Sequence, residues 1–254
     1  FKEFVTVDAG EPFKKLEIAR DAMETDLLIN LPKLKTHAHM LLTLGVKNLF
    51  GCIVGMRKPE WHLRTGVDRE MFAKLLVRIC QAVNPSVTIL DGVLAMEGQG
   101  PGRSGIPREI GVIVASTDTF SLDITAARLV GVPPEEVLTN RIALEEGLVD
   151  GELPEVKDYK LPDQSPLIFG PQQLHGFMRK HLIQRPECND TICRHCGECW
   201  RYCPAKAITD DKKIRFDYEK CIRCYCCVEV CPYGALKTHE TVTGKIARKV
   251  LRIE

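Results

Sequence analysis

The chain has 254 residues, enough for two domains and a sizeable buried core. Its 35 Lys and Arg against 34 Asp and Glu leave a formal charge of +1, which gives no electrostatic case for nucleic acid or a membrane surface as the main partner. No stretch approaches the ~18 consecutive apolar residues of a membrane helix. The opening FKEFVTVDAG lacks the basic and apolar regions of a signal peptide, so the expected compartment is the cytoplasm. A start at Phe1, within a strand-like run, is expected of a piece of a longer protein.

Residues 4–8 (FVTVD) alternate as a strand does, and EPFKKLEIARDAM sets Phe13, Leu16, Ile18 and Ala19 on one helical face. DLLINLP, ended by Pro32, reads as a buried strand, and strand, helix, strand in that order predicts a parallel α/β unit. Lys33-Leu34-Lys35-Thr36-His37-Ala38-His39 then falls at the carboxyl end of that strand, where open α/β sheets place ligands. LGVKNLFGC reads as a helix with glycines near its ends, followed by a loop carrying Lys58, Trp61 and His62.

VDREMFAKLLVRICQAV places Phe72, Leu75, Leu76, Ile79, Cys80 and Val83 at helical spacing, with Asn84-Pro85 as the stop and Cys80 in the core. SVTILD predicts a strand ending at Asp91-Gly92, and IGVIVAS another from Ile110. Between them Gly100-Pro101-Gly102-Arg103-Ser104-Gly105 is a literal G-x-G-x-x-G. It carries Pro101 inside, meets Pro107 and runs into a strand rather than opening a helix, so it is not a dinucleotide fingerprint. Glu97 and Arg103 nearby are candidates to line a pocket. Asp118 is placed to cap a helix through ITAARL that stops at Gly131, and Pro133-Pro134 starts another through Glu146. From Gly151 the text turns proline-rich and aperiodic, the mark of a linker.

The cysteines carry the most specific pattern. Cys193-x2-Cys196-x2-Cys199-x3-Cys203-Pro204 is repeated in register by Cys221-x2-Cys224-x2-Cys227-x3-Cys231-Pro232, using eight of the twelve cysteines. Three thiolates at i, i+3 and i+6 can cap three irons of one cubane, and the fourth cysteine of such a run ligates the other cluster. The spacing therefore assigns Cys193, Cys196, Cys199 and Cys231 to one [4Fe-4S] cluster and Cys221, Cys224, Cys227 and Cys203 to a second. Structural zinc would need two pairs of ligands around a tetrahedral ion, and a disulfide framework would need an export signal. Neither fits. Cys226 falls outside the register, Cys188 has no partner in sequence, and Cys52 is more often a packed thiol than a reactive one.

Residues 188 to 240 resemble the bacterial two-cluster ferredoxins. LPKLKTH, GVKNLFG, ILDGVLAMEGQGPGRSG and STDTFSLDITAARLVG, followed by that module, resemble the family known as domain of unknown function 362 over nearly the whole chain. The resemblance implies an iron-sulfur protein without naming a substrate, and a further α/β segment upstream of Phe1. Lys35, His37, Lys47, Asn48, Asp91, Glu97, Gly98, Asp118 and Asp123 match positions the family holds, with chemistry suited to an anion or metal pocket. Lys35, His37 and Lys47 are the candidate catalytic residues. Lys33 and Lys58 read as solvated surface, and His39 and His62 as structural.

The predicted architecture is thus α/β, a partly parallel sheet flanked by helices over residues 1–160, then a linker at 161–186, a small α+β ferredoxin-type two-cluster domain at 187–240 and a tail at 241–254. The expected function is single-electron transfer through two [4Fe-4S] clusters, to or from a site or partner at the α/β domain, in a reducing and anaerobic setting. A redox partner protein and an anionic small molecule are the expected partners, with no nucleic acid and no membrane span. The competing reading is a non-redox anion-binding enzyme or docking subunit whose clusters staple the fold or sense oxygen. The sequence leaves the oligomeric state open.

Overall fold

The computed structural model describes residues 3–66, 68–149, 177 and 181–251. The expected linker at 161–186 falls mostly outside them. Among the described residues no helix is long and apolar enough to cross a membrane.

The α/β part is built on one long strand. β6 (Val87–Gly98) carries β3 (Ile29–Asn30) and then β4 (Lys33–His37) along one edge, both parallel to it, and β7 (Gly105–Ser116) antiparallel along the other. β5 (Leu41–Thr43) closes the sheet beyond β4. Pro32 separates β3 from β4 without ending the ladder, because Asp91 still donates its amide to the Pro32 carbonyl at 2.9 Å. Asn30 and Leu34 are buried, while Leu27, Ile29 and Leu31 are exposed, so DLLINLP is a short edge segment and not the buried strand its apolar text predicts.

The N-terminal expectation is also corrected. Residues 14 to 19 form β2 (Lys14–Ala19), paired antiparallel with β1 (Phe4–Gly10), and only α1 (Arg20–Met23) is helical. Period-two burial of Leu16 and Ile18 against α4 (Arg69–Val83) decides the matter, since a hairpin over that helix buries both completely. α4 itself follows the sequence reading. Asp68 caps it by accepting the Met71 amide at 2.9 Å, Asn84 ends it in the left-handed conformation, and Phe72, Leu75, Leu76 and Ile79 are fully buried.

α2 (Gly45–Asn48) runs directly into a 3-10 turn, Leu49–Cys52. The segment holding Lys58, Trp61 and His62 is α3 (Arg57–Thr65), a helix where a loop was expected, with Trp61 and His62 buried. α5 (Thr119–Leu129) is capped by Asp118, which accepts the Phe120 and Ser121 amides, and Gly131 follows it at φ 71°. A 3-10 turn, Pro134–Glu136, and α6 (Leu138–Glu145) complete this half.

The C-terminal half pairs β8 (Arg185–Cys188) with β11 (Leu236–His239) and β9 (Ile208–Asp210) with β10 (Ile214–Phe216), all antiparallel. Two short helices, α7 (Glu198–Arg201) and α8 (Cys226–Val230), follow the cysteine loops, and α9 (Val242–Leu251) occupies the expected tail. The two halves share a packed seam. Ala38 joins the C-terminal core, Ser104 Oγ donates to the Leu236 carbonyl at 3.2 Å, and Thr238 Oγ1 donates to Gln99 Oε1 at 2.7 Å.

Candidate functional site

Both cysteine runs bend in the same places. His195 (φ 48°) and Gly197 (φ 92°) of the first correspond to Arg223 (φ 61°) and Tyr225 (φ 58°) of the second, and Lys206 (φ 48°) corresponds to Gly234 (φ 65°). The duplication is conformational as well as textual. Left-handed residues turn each run back on itself. Holding side-chain-bearing residues there costs roughly 1–3 kcal/mol each, a strain that persists where the surrounding structure enforces it.

Each loop borders its own cavity. One is lined by Cys193, Cys196 and Cys199 together with Cys231 of the other run. The second is lined by Cys221, Cys224 and Cys227 together with Cys203. Among the described residues no three His, Cys, Asp or Glu converge as a single-ion site. Cys188 also reaches the first cavity, brought there by its pairing opposite Leu236, and Cys226 reaches the second.

Burial pushes the Cys199 thiol up to about 11 and the Cys203 and Cys227 thiols upward as well. Such thiols ionise together only beside a strongly cationic partner, which iron supplies. The donor set and its crossing fit [4Fe-4S] ligation.

A separate cavity of about 280 Å³ opens where the sheet meets the C-terminal half. The period of β4 places Lys33 and Lys35 on the face away from buried Leu34 and Thr36. α2 contributes Lys47 and α3 contributes Lys58, and Pro101 of the β6–β7 hairpin and Glu229 of α8 line the cavity too. Lys33 is bound to Asp91 at 2.6 Å. The ammonium groups of Lys35, Lys47 and Lys58 make no hydrogen bond or ion pair with another described residue. Burial, followed by repulsion from Lys47, lowers the Lys35 pKa, and burial lowers that of Lys58. Lys58 therefore lines the pocket half-buried and is not simply solvated surface.

His37 stands apart from these lysines. Its ring is buried, Nδ1 accepts the His39 and Met40 amides at 3.0 and 3.2 Å, and Nε2 faces Glu229 Oε1 at 2.8 Å. With Nδ1 accepting, Nε2 carries the proton and presents it toward the carboxylate. Burial and the nearby Lys47 lower the His37 pKa to about 4, so the ring is neutral. Burial alone would raise the Glu229 carboxyl, but His37 and Lys47 outweigh it and hold that carboxyl below its usual range. His39 and His62 are buried too, stacked against Phe72 at centroid distances of 5.4 and 4.4 Å.

The carboxylates of the motif are divided among other tasks. Asp123 accepts the Gly45 and Val46 amides at 2.6 and 2.9 Å, capping α2 from another element and so holding the backbone that carries Lys47. Burial lifts its carboxyl to about 7 against those two bonds. Glu97 pairs with Arg108 at 2.8 Å. Arg103 lies under Gly234 at the seam, where a Cβ on that glycine would meet the Arg103 Cβ at 3.2 Å. Sequence reasoning missed Glu229, since it lies inside a cysteine run whose spacing says nothing about its neighbours.

An α/β sheet packed onto a duplicated four-cysteine module defines an iron-sulfur protein of the fused ferredoxin type. The chain belongs to the domain of unknown function family DUF362, whose model matches residues 1–128, and a 4Fe-4S dicluster domain matches residues 192–235. It is 37% identical over 188 residues to the thylakoid-associated protein sll1697 of Synechocystis sp., an alignment covering 69% of this chain and 58% of that one. The chain thus spans a little over half the length of that relative. The C-terminal module is 44% identical over 63 residues to the electron transport protein HydN of Escherichia coli, covering 23% of this chain and 36% of HydN. It is also 37% identical over 57 residues to pyruvate synthase subunit PorD of Thermotoga maritima, covering 22% and 58%.

Proposed function

We propose that the protein carries single electrons through two [4Fe-4S] clusters, one held by Cys193, Cys196, Cys199 and Cys231, the other by Cys221, Cys224, Cys227 and Cys203. The electrons pass between a redox partner protein and the pocket at the α/β domain. The observation that carries this reading is the pair of cavities, each lined by three cysteines of one run and the last of the other. A cluster of this type, once bound, takes up and returns one electron.

The protein's own residues set where that electron can go. Ile208, Ile214, Val228 and Leu236 pack around the cysteines and exclude water. Glu229 lies between the ligands Cys227 and Cys231 and also lines the lysine pocket, so the α/β end abuts the second run. Lys35 and Lys47 supply charge and donors there. His37 acts through Glu229, as a positioning residue. Two similar proteins named for electron transport and for a pyruvate synthase subunit support a protein redox partner. A reducing, oxygen-poor cytoplasm belongs to the same proposal.

The test is cysteine accounting on anaerobically reconstituted protein. About eight irons and eight sulfides per chain are expected, with a visible band that dithionite bleaches. In Cys231→Ser, iodoacetamide should label Cys193, Cys196 and Cys199 while Cys221, Cys224 and Cys227 stay protected. The opposite labelling pattern, bound zinc, or a band that dithionite leaves untouched would overturn the proposal.

A further inference from the structure

We infer that the lysine pocket between the two modules binds a small dianion, a compound presenting a phosphate group or a pair of carboxylates, directly against the second cysteine run. This deepens the electron-transfer reading by naming what its α/β end takes, and it rests on that reading only for the redox consequence.

Charge is the first argument. Four ammonium groups line the cavity. Lys33 is neutralised by Asp91 at 2.6 Å, and Glu229 offsets one more. Two positive charges remain over, on side chains that form no ion pair among the described residues. Like charges brought together in a half-buried place repel one another, and desolvation adds to the penalty. Both effects act on Lys35, and burial acts on Lys58. A structure that gathers these groups and leaves them uncompensated is complementary to an incoming dianion.

Geometry is the second argument. The three ammonium groups come from separate elements, β4, α2 and α3, and their approach depends on tertiary structure rather than on one run of basic text. α2 is itself anchored by the two amide bonds to Asp123, which fixes the backbone that carries Lys47. A space of about 280 Å³ admits a compact metabolite but not a folded chain. Phe50, itself buried, also lines the cavity and gives an apolar surface beside the charges. That combination suits a short carbon skeleton with anionic ends.

Calorimetry on oxidised, fully reconstituted protein tests the inference, with inorganic phosphate, succinate and acetate as titrants at matched ionic strength. Phosphate or succinate should bind at least about tenfold more tightly than acetate, and Lys35→Gln and Lys58→Gln should each weaken that binding by about tenfold or more, the effect of one charge-assisted contact. Binding of phosphate alone identifies a phosphoryl ligand; binding of succinate alone identifies a dicarboxylate. Dianions that bind no better than acetate, or that bind equally well to both variants, would overturn the proposal. Dithionite bleaching of the same samples reads the electron-transfer proposal separately. Loss of dianion binding with reducible clusters sinks only the ligand assignment, and dianion binding beside unreducible clusters sinks only the redox role.

Discussion

Replacing His37 by alanine tests whether this ring pins the two halves together. The substitution leaves the buried His39 and Met40 amides without their acceptor and removes the ring that faces Glu229. Stranded groups of this kind cost ~1–3 kcal/mol each, so His37→Ala should lose about 3–5 kcal/mol of local stability. His37→Gln, which can accept and donate along a similar line, should recover part of it. The unfolded ring takes up a proton near 6.5 and the buried ring only near 4, so its contribution is complete above the first value and fades as pH falls toward the second. At ~1.4 kcal/mol per pH unit the full change is about 3 kcal/mol. Glu229, whose carboxyl is also lowered, acts in the same direction.

Hydrogen exchange by mass spectrometry on the anaerobic holoprotein reads this directly in the peptides spanning 33–44 and 226–236. His37→Ala should raise exchange there by about a hundredfold or more. Unchanged protection in His37→Ala, or a seam that grows more stable between about pH 7 and pH 5, would refute the reasoning.

Two further outcomes follow from buried groups. Asp123→Asn keeps one acceptor for two amides, so about 1–2 kcal/mol of stability should be lost, read as a lowered thermal midpoint of the holoprotein. Because burial lifts the Asp123 carboxyl to about 7, its folded form favours the proton, and this group's own contribution to stability declines as pH rises toward that value. The gap between wild type and Asp123→Asn should therefore narrow from about pH 5 to pH 8. Cys80 is 3% exposed and burial drives its thiol far upward, so iodoacetamide should modify it only after unfolding. Labelling in the native protein would contradict its placement in the core.

What the sequence disclosed was whatever local chemistry controls. α4 was legible from its apolar period and its Asn84 stop, and α5 because Asp118 and Gly131 begin and end it by side-chain or backbone preference within a few residues. The cysteine repeat was legible because ligand spacing is itself a local quantity. Residues 11 to 19 were misread because Phe13, Leu16, Ile18 and Ala19 satisfy a helical period over a short window, and only the surface of α4 selects the hairpin. Leu27, Ile29 and Leu31 looked buried because apolar text carries no record of how little sheet covers it. In the pocket, Lys35 and Lys47 could be singled out, yet Lys58 and Glu229 could not. They arrive from a helix read as a loop and from the other half of the chain.

The glycine-rich tip between β6 and β7 imitates a nucleotide-binding signature and serves another purpose. Its missing side chains admit neighbouring backbone: a Cβ on Gly102 would lie 2.9 Å from the Val228 carbonyl oxygen, and one on Gly100 would collide with Thr36. The hairpin thus works as a spacer gauge, setting how far the helix that carries Cys227 stands from the strand that carries Lys35. A single methyl group added at that tip would widen the gap between the cysteine run and the lysine pocket without altering a residue of either, so their separation is written into the bare backbone of a turn.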